Sequence, residues 1–162
     1  MKANKSVSVA ETLQQKQPFR SVAQEVYLSL LLSTSQLSYG MEVLLKKHGI
    51  TQVQYNVLRI LRGAGDSGLG RNEIRGRLVN TMPDVTRLLD RMERAGWISR
   101  AKSGEDKRQV STFITAAGTK LLRNLEGPVA ALHEMQIVGV TAADLKILLK
   151  VLAELRSNAL KG

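Results

Sequence analysis

Asp106, Lys107 and Arg108 stand in a polar stretch between the short apolar runs Trp97-Ile98 and Val110 to Ile114, and Thr115 follows directly. An acid two positions before an arginine can brace the guanidinium, and a braced cation at a loop tip suits an anionic groove. Upstream, Asp84, Arg87 and Arg91 recur at spacings of three and four, with Thr86 beside them, on the face opposite Val85, Leu88, Leu89 and Met92. Thr81, with Pro83 before Asp84, reads as the start of that helix. The exposed side is therefore one of long cations and short polar groups, which is hydrogen-bonding chemistry directed at a polyanion. A carboxylate at Asp84 would be repelled by phosphate unless it accepts from a cytosine amine or caps the helix, and capping is the expectation.

Other reactive chemistry is poorly served. With no cysteine, disulfides, thiolate metal sites, cysteine nucleophiles and thiol-based oxidant sensing are excluded together, in keeping with a reducing cytoplasm. His48 and His133 stand alone, so no metal site is expected, and no nucleophile with a base or carboxylate pair in an apolar setting can be found. No catalytic residue and no cofactor is predicted. Gly63-Ala64-Gly65-Asp66-Ser67-Gly68 fits the spacing G-x-G-x-x-G. A dinucleotide loop follows a strand, however, and this one follows the helical pattern Val53 to Leu61, which predicts a flexible connector.

A chain of 162 residues with 43% hydrophobic content is one domain by size. One Trp, three Tyr and two Phe leave a core of Leu, Val, Ile and Ala, which suits packed helices. The net charge of +10, from 24 Lys and Arg against 14 Asp and Glu, favours a polyanionic partner through counterion release. No apolar run reaches the roughly 20 residues that span a bilayer, and Met1 to Arg20 lacks an apolar core, so a cytoplasmic protein without membrane association is expected.

The elements that must position these residues follow from periodicity. Residues 1–17 form a basic tail without apolar period, predicted to be disordered. Residues 18–48 carry Val22, Val26, Leu30, Leu37, Met41, Leu44 and Leu45 at helical spacing, closed by Lys46-Lys47-His48 and Gly49. Within 50–115, Thr51 with Gln54 opens a second helix, Arg71 to Val79 makes a third, and the arginine-bearing helix ends at Gly96. Two strands, about Trp97 to Lys102 and Gln109 to Ile114, flank the turn residues Ser103-Gly104-Glu105-Asp106. Residues 116–162 hold a helix expected to kink or break at Gly127-Pro128, then a last one capped by Thr141 and Asp144 with the stripe Leu145, Leu148, Leu149, Leu152 and Leu155.

This order, with Glu93-Arg94-Ala95-Gly96-Trp97-Ile98-Ser99-Arg100 and Asp106-Lys107-Arg108-Gln109-Val110 leading to Thr115, resembles the MarR family of bacterial transcription regulators from about Arg20 to Arg156. The resemblance implies a mainly α fold with a small two- to three-stranded antiparallel wing: a winged helix-turn-helix flanked by N- and C-terminal dimerisation helices. It implies double-stranded DNA as partner, with Thr81, Asp84, Thr86, Arg87 and Arg91 in the major groove. Arg108 would enter the minor groove braced by Asp106, with Arg100, Lys102 and Lys107 also in the wing, and Arg71, Asn72, Arg75 and Arg77 on phosphates. It further implies a homodimer through Val22, Val26, Leu30, Leu145, Leu149 and Leu152 on a pseudo-palindromic operator. A small aromatic or anionic ligand would release a repressor, with Met41, His48, Tyr55 and Arg59 as candidate contacts. The alternative is a sequence-independent architectural protein of the nucleoid.

Overall fold

The computed structural model describes residues 7–79, 84–102 and 110–159. Its elements in order are α1 (Val9–Thr12), α2 (Val22–Lys46), α3 (Gln52–Ala64), a 3-10 turn (Gly65–Ser67), β1 (Leu69–Gly70), α4 (Arg71–Arg77), α5 (Val85–Arg94), β2 (Ile98–Lys102), β3 (Val110–Ile114), α6 (Ala116–Gln136) and α7 (Ala142–Ala159). They fall into two compact units: 1–32 with 133–162, and 33–132.

Helix ends follow their local chemistry. Thr51 Oγ1 accepts from Gln54 N (3.3 Å) while Gln54 Oε1 accepts from Thr51 N (2.9 Å), a reciprocal cap on α3. At the end of α5, Gly96 N donates to Glu93 O (2.8 Å) and Trp97 N to Met92 O (3.1 Å), which satisfies the last carbonyls and turns the chain into β2. Unit 33–132 is built on the stripes expected for α3, α4 and α5, joined by apolar residues of β2 and α6. Val57, Leu58 and Leu61 of α3, Ile74 of α4, Val85, Leu88, Leu89 and Met92 of α5, Ile98 of β2, and Leu122, Leu125 and Val129 of α6 share one buried cluster.

The sheet has the order β1-β3-β2, all antiparallel, with Ile98 opposite Ile114 and Lys102 opposite Val110. The third strand is a two-residue segment pairing Leu69 with Thr112 and Gly70 with Ser111, too short to show a period. The connector expected to be flexible is instead a 3-10 turn leading into that strand. Its Gly68 has φ +62°, and a Cβ there would run into the Phe113 ring, so both conformation and space demand glycine.

Two further expectations are corrected. The tail carries one helical turn, α1, because Ser8 and Glu11 form a capping box (Ser8 N to Glu11 Oε2, 2.9 Å). The break at Gly127-Pro128 is absent, since α6 runs unbroken with Pro128 inside it. A proline in a helix costs about 3 kcal/mol. Burial of Leu122, Leu125, Val129 and Leu132 along the same helix, at roughly 1.5–3 kcal/mol each, outweighs it. Among the described residues no helix is long and apolar enough to cross a membrane.

Candidate nucleic-acid interface

Within unit 33–132, α5 buries its apolar stripe and leaves Thr86, Arg87 and Arg91 exposed. Asp84 is the N-cap: its Oδ1 accepts from Arg87 N at 3.0 Å, the role expected for it. Its Oδ2 also forms an ion pair with Arg87 Nε at 3.0 Å. Asp84, Arg87, Asp90, Arg91 and Arg94 line an open hollow of about 320 Å³ on the outer face of α5. Thr81 lies outside the described residues.

Arg71, Asn72, Arg75 and Arg77 of α4 are exposed, and Arg71 Nη1 reaches Thr86 Oγ1 at 3.3 Å, so the two helices present one continuous polar surface. Arg77 is paired loosely with Glu73 at 3.8 Å. Between α4, α5 and β3 lies the larger hollow, about 600 Å³, lined by Arg71, Asn72, Thr86, Arg100 and Ser111 among others.

Arg100, grouped by sequence with the wing cations that meet DNA, is bound elsewhere. Its Nε donates to Glu93 Oε2 at 2.9 Å, and its Nη2 bonds both Glu93 and Asp90, the latter at 2.7 Å. The two carboxylates sit about one turn apart on α5, so the guanidinium ties β2 to that helix, and its charge is already neutralised. Arg100 is a positioning residue for the hairpin. Sequence reasoning missed this pairing, although the spacing of Asp90 and Glu93 was a signal for a shared cation. Lys102 is exposed at the end of β2; Asp106, Lys107 and Arg108 lie outside the described residues.

The Arg100 hydrogen bond holds the Glu93 carboxyl below the usual carboxylate range. A folded-state pKa below the unfolded value means stabilisation that is present above the ordinary carboxylate range and lost as pH falls through the folded pKa. Because Glu93 is 36% exposed, the contribution is screened and amounts to no more than about 1 kcal/mol. Glu93→Gln should therefore lower the melting temperature slightly at neutral pH, and the difference from wild type should vanish in acid. Parallel melting profiles across that range would remove Glu93 from the linkage.

At the base of the wing, Thr115 N donates to Trp97 O (3.0 Å), Thr115 Oγ1 donates to Gly96 O (2.7 Å), and Gly118 N donates to Thr115 Oγ1 (3.1 Å). One threonine thus joins the end of α5, the start of β2 and the first turn of α6.

Residues 50–110 match the model of the MarR family. The crystal structure of a MarR transcription factor from Planctomyces limnophilus is 34% identical, over 84% of this chain and 98% of that one, with a TM-score of 0.65. The chain belongs to the MarR family. The HTH-type transcriptional regulator TtmR of Methylorubrum extorquens (strain PA1) is 37% identical over 117 residues, 71% of this chain and 57% of its own length. The chain spans a little over half the length of the first curated relatives it matches, 56% and 57%. The S. aureus MepR–DNA complex matches in fold alone, with a TM-score of 0.73 at 22% identity over 82% of this chain and 96% of that one.

In this MarR-family chain the residues expected to hold a ligand line neither of the two hollows described. Met41 and Tyr55 are half-buried against the core, His48 is exposed, and the Arg59 guanidinium lies 5.9 Å from the Tyr55 ring centroid, a cation–π contact. The residues expected at a dimer interface are open in the single MarR-family chain: Val22 is 77%, Val26 42% and Leu149 68% exposed, while Leu30, Leu145 and Leu152 are half-buried.

Proposed function

We propose that this protein is a dimeric, sequence-specific double-stranded DNA-binding transcription regulator, acting as a repressor. The observation that carries this reading is α5, buried along one side and presenting Thr86, Arg87 and Arg91 on the other, with a two-stranded hairpin tied to its C-terminal half by Arg100. A helix of this kind fits the major groove, while an adjacent hairpin suits the narrower minor groove. MepR, solved with DNA, supports the reading through its shared fold.

A dimer is supported by the apolar surface of α7, which has no buried residue in the single chain, and by Val22, Val26, Tyr27 and Leu31 of α2. Such a stripe needs a partner. Two-fold pairing would set half-sites about one helical turn, roughly 34 Å, apart. Release by a small aromatic or anionic ligand rests on family membership, with Met41, His48, Tyr55 and Arg59 as the candidate contacts. This reading assigns no catalysis and needs no cofactor.

The deciding experiment measures binding to the DNA upstream of the protein's own gene and to random duplex of equal length at matched, near-physiological salt. A preference of about a thousandfold or more is expected of a specific regulator. Equal affinity for this and every other duplex tested would instead indicate an architectural DNA-binding protein. Arg108→Ala should weaken operator binding by about 1–3 kcal/mol without altering the melting temperature, and undiminished affinity would remove the wing residue from the interface.

A further inference from the structure

We infer that Arg87 reads a guanine in each half-site, its guanidinium aimed by Asp84; the inference rests on the major-groove reading of α5 given above. Asp84 holds Arg87 twice. One carboxylate oxygen accepts from the Arg87 backbone N–H at 3.0 Å, and the other forms an ion pair with Nε at 3.0 Å. The side chain is nevertheless 84% exposed, and no described residue accepts from its terminal Nη atoms. Held through its Nε, the guanidinium projects its two terminal amino groups as a fork. That fork matches O6 and N7 of guanine, whereas adenine and cytosine offer amino donors and thymine a methyl group in the major groove.

The brace has a cost that distinguishes base reading from phosphate binding. A carboxylate 47% exposed on the DNA-facing surface repels phosphate at every sequence. An arginine serving a phosphate would be better without it, because the contact tolerates many guanidinium orientations. A base contact requires one orientation, and fixing it in the free protein reduces the ordering cost on binding. Asp84 is also separate from the wing anchor, since Arg100 engages Asp90 and Glu93 but not Asp84. Both members of the pair belong to the N-terminal turn of α5, the part of a recognition helix that meets base edges.

Selection from a library of randomised duplexes with the full-length protein tests the assignment. Wild type should enrich a pseudo-palindrome with a guanine on each arm. Arg87→Ala should lose that preference by about 5- to 150-fold while the other positions keep theirs. Asp84→Ser retains a capping hydroxyl but cannot reach Nε; it should bind random duplex more tightly than wild type and yet discriminate less at the same guanine. A capping role alone would leave the guanine preference of Asp84→Ser intact, which overturns the inference. So would an Arg87→Ala protein whose base preferences are unchanged and whose salt dependence alone falls. If wild type enriched no sequence at all, the regulator reading itself would fail, which is a distinguishable result.

Discussion

If the proposed dimer forms through α7, replacing Leu149 with aspartate should yield monomers and reduce operator binding by two orders of magnitude or more, while unit 33–132 keeps its fold. Leu149 lies on α7 in the stripe with Leu145, Leu148, Leu152 and Leu155, and is 68% exposed in the single chain, so the substitution is free of strain there. In a two-fold interface the same residue is buried twice. An unpaired carboxylate in such a place costs about 3–5 kcal/mol, roughly a hundred- to several-thousand-fold in the dimer dissociation constant. Operator affinity follows, because a monomer engages one half-site and forgoes an avidity gain of about 10²- to 10⁴-fold. Sedimentation and binding to operators bearing one or two half-sites would show this together. A Leu149→Asp protein that remained dimeric would place the interface away from α7.

Gly118→Ala should destabilise unit 33–132, although alanine is the better helix former by about 1 kcal/mol. A Cβ at position 118 would overlap the Trp97 carbonyl oxygen and press on Ile114 Cγ1. The carbonyl cannot swing aside cheaply, since it accepts the Thr115 N–H at 3.0 Å. Over-packing of this sort costs about 1–3 kcal/mol and exceeds the propensity gain. Gly63, in α3 with nothing within 4 Å of its would-be Cβ and no proline after it, provides the control: Gly63→Ala should stabilise by up to about 1 kcal/mol. Denaturant midpoints of the two variants should therefore move in opposite directions. Because Thr115 and Trp97 also hold the hairpin base, Gly118→Ala should weaken operator binding as well, whereas equal stability of the two variants would show that the Trp97 contact yields without cost.

Much of unit 33–132 was legible without coordinates. The stripe Val85, Leu88, Leu89 and Met92 is the buried side of α5, the Thr51–Gln54 box starts α3, Asp84 caps α5, and the chain turns at Gly49 and Gly96. Each of these is a signal carried within a few residues, where helical geometry alone decides which groups meet. The polar face of α5 followed from the same geometry, since whatever is not in the stripe must face away.

What tertiary structure alone decided are meetings between residues distant in sequence. Arg100 looks in sequence like any wing cation, and only the docking of β2 beside α5 delivers it to Asp90 and Glu93. Leu69 and Gly70 become a strand only because β3 offers them Thr112 and Ser111. Gly68 and Gly118 are required by the Phe113 ring and the Trp97 carbonyl, neither of which a local pattern can reveal. Pro128 remains inside α6 because burial of its helical neighbours outweighs a local penalty. Composition and periodicity determined the helices and the sign of their exposed surface; packing decided which charges are spent inside the fold and which remain free for a partner, because desolvation and pairing depend on the final neighbours.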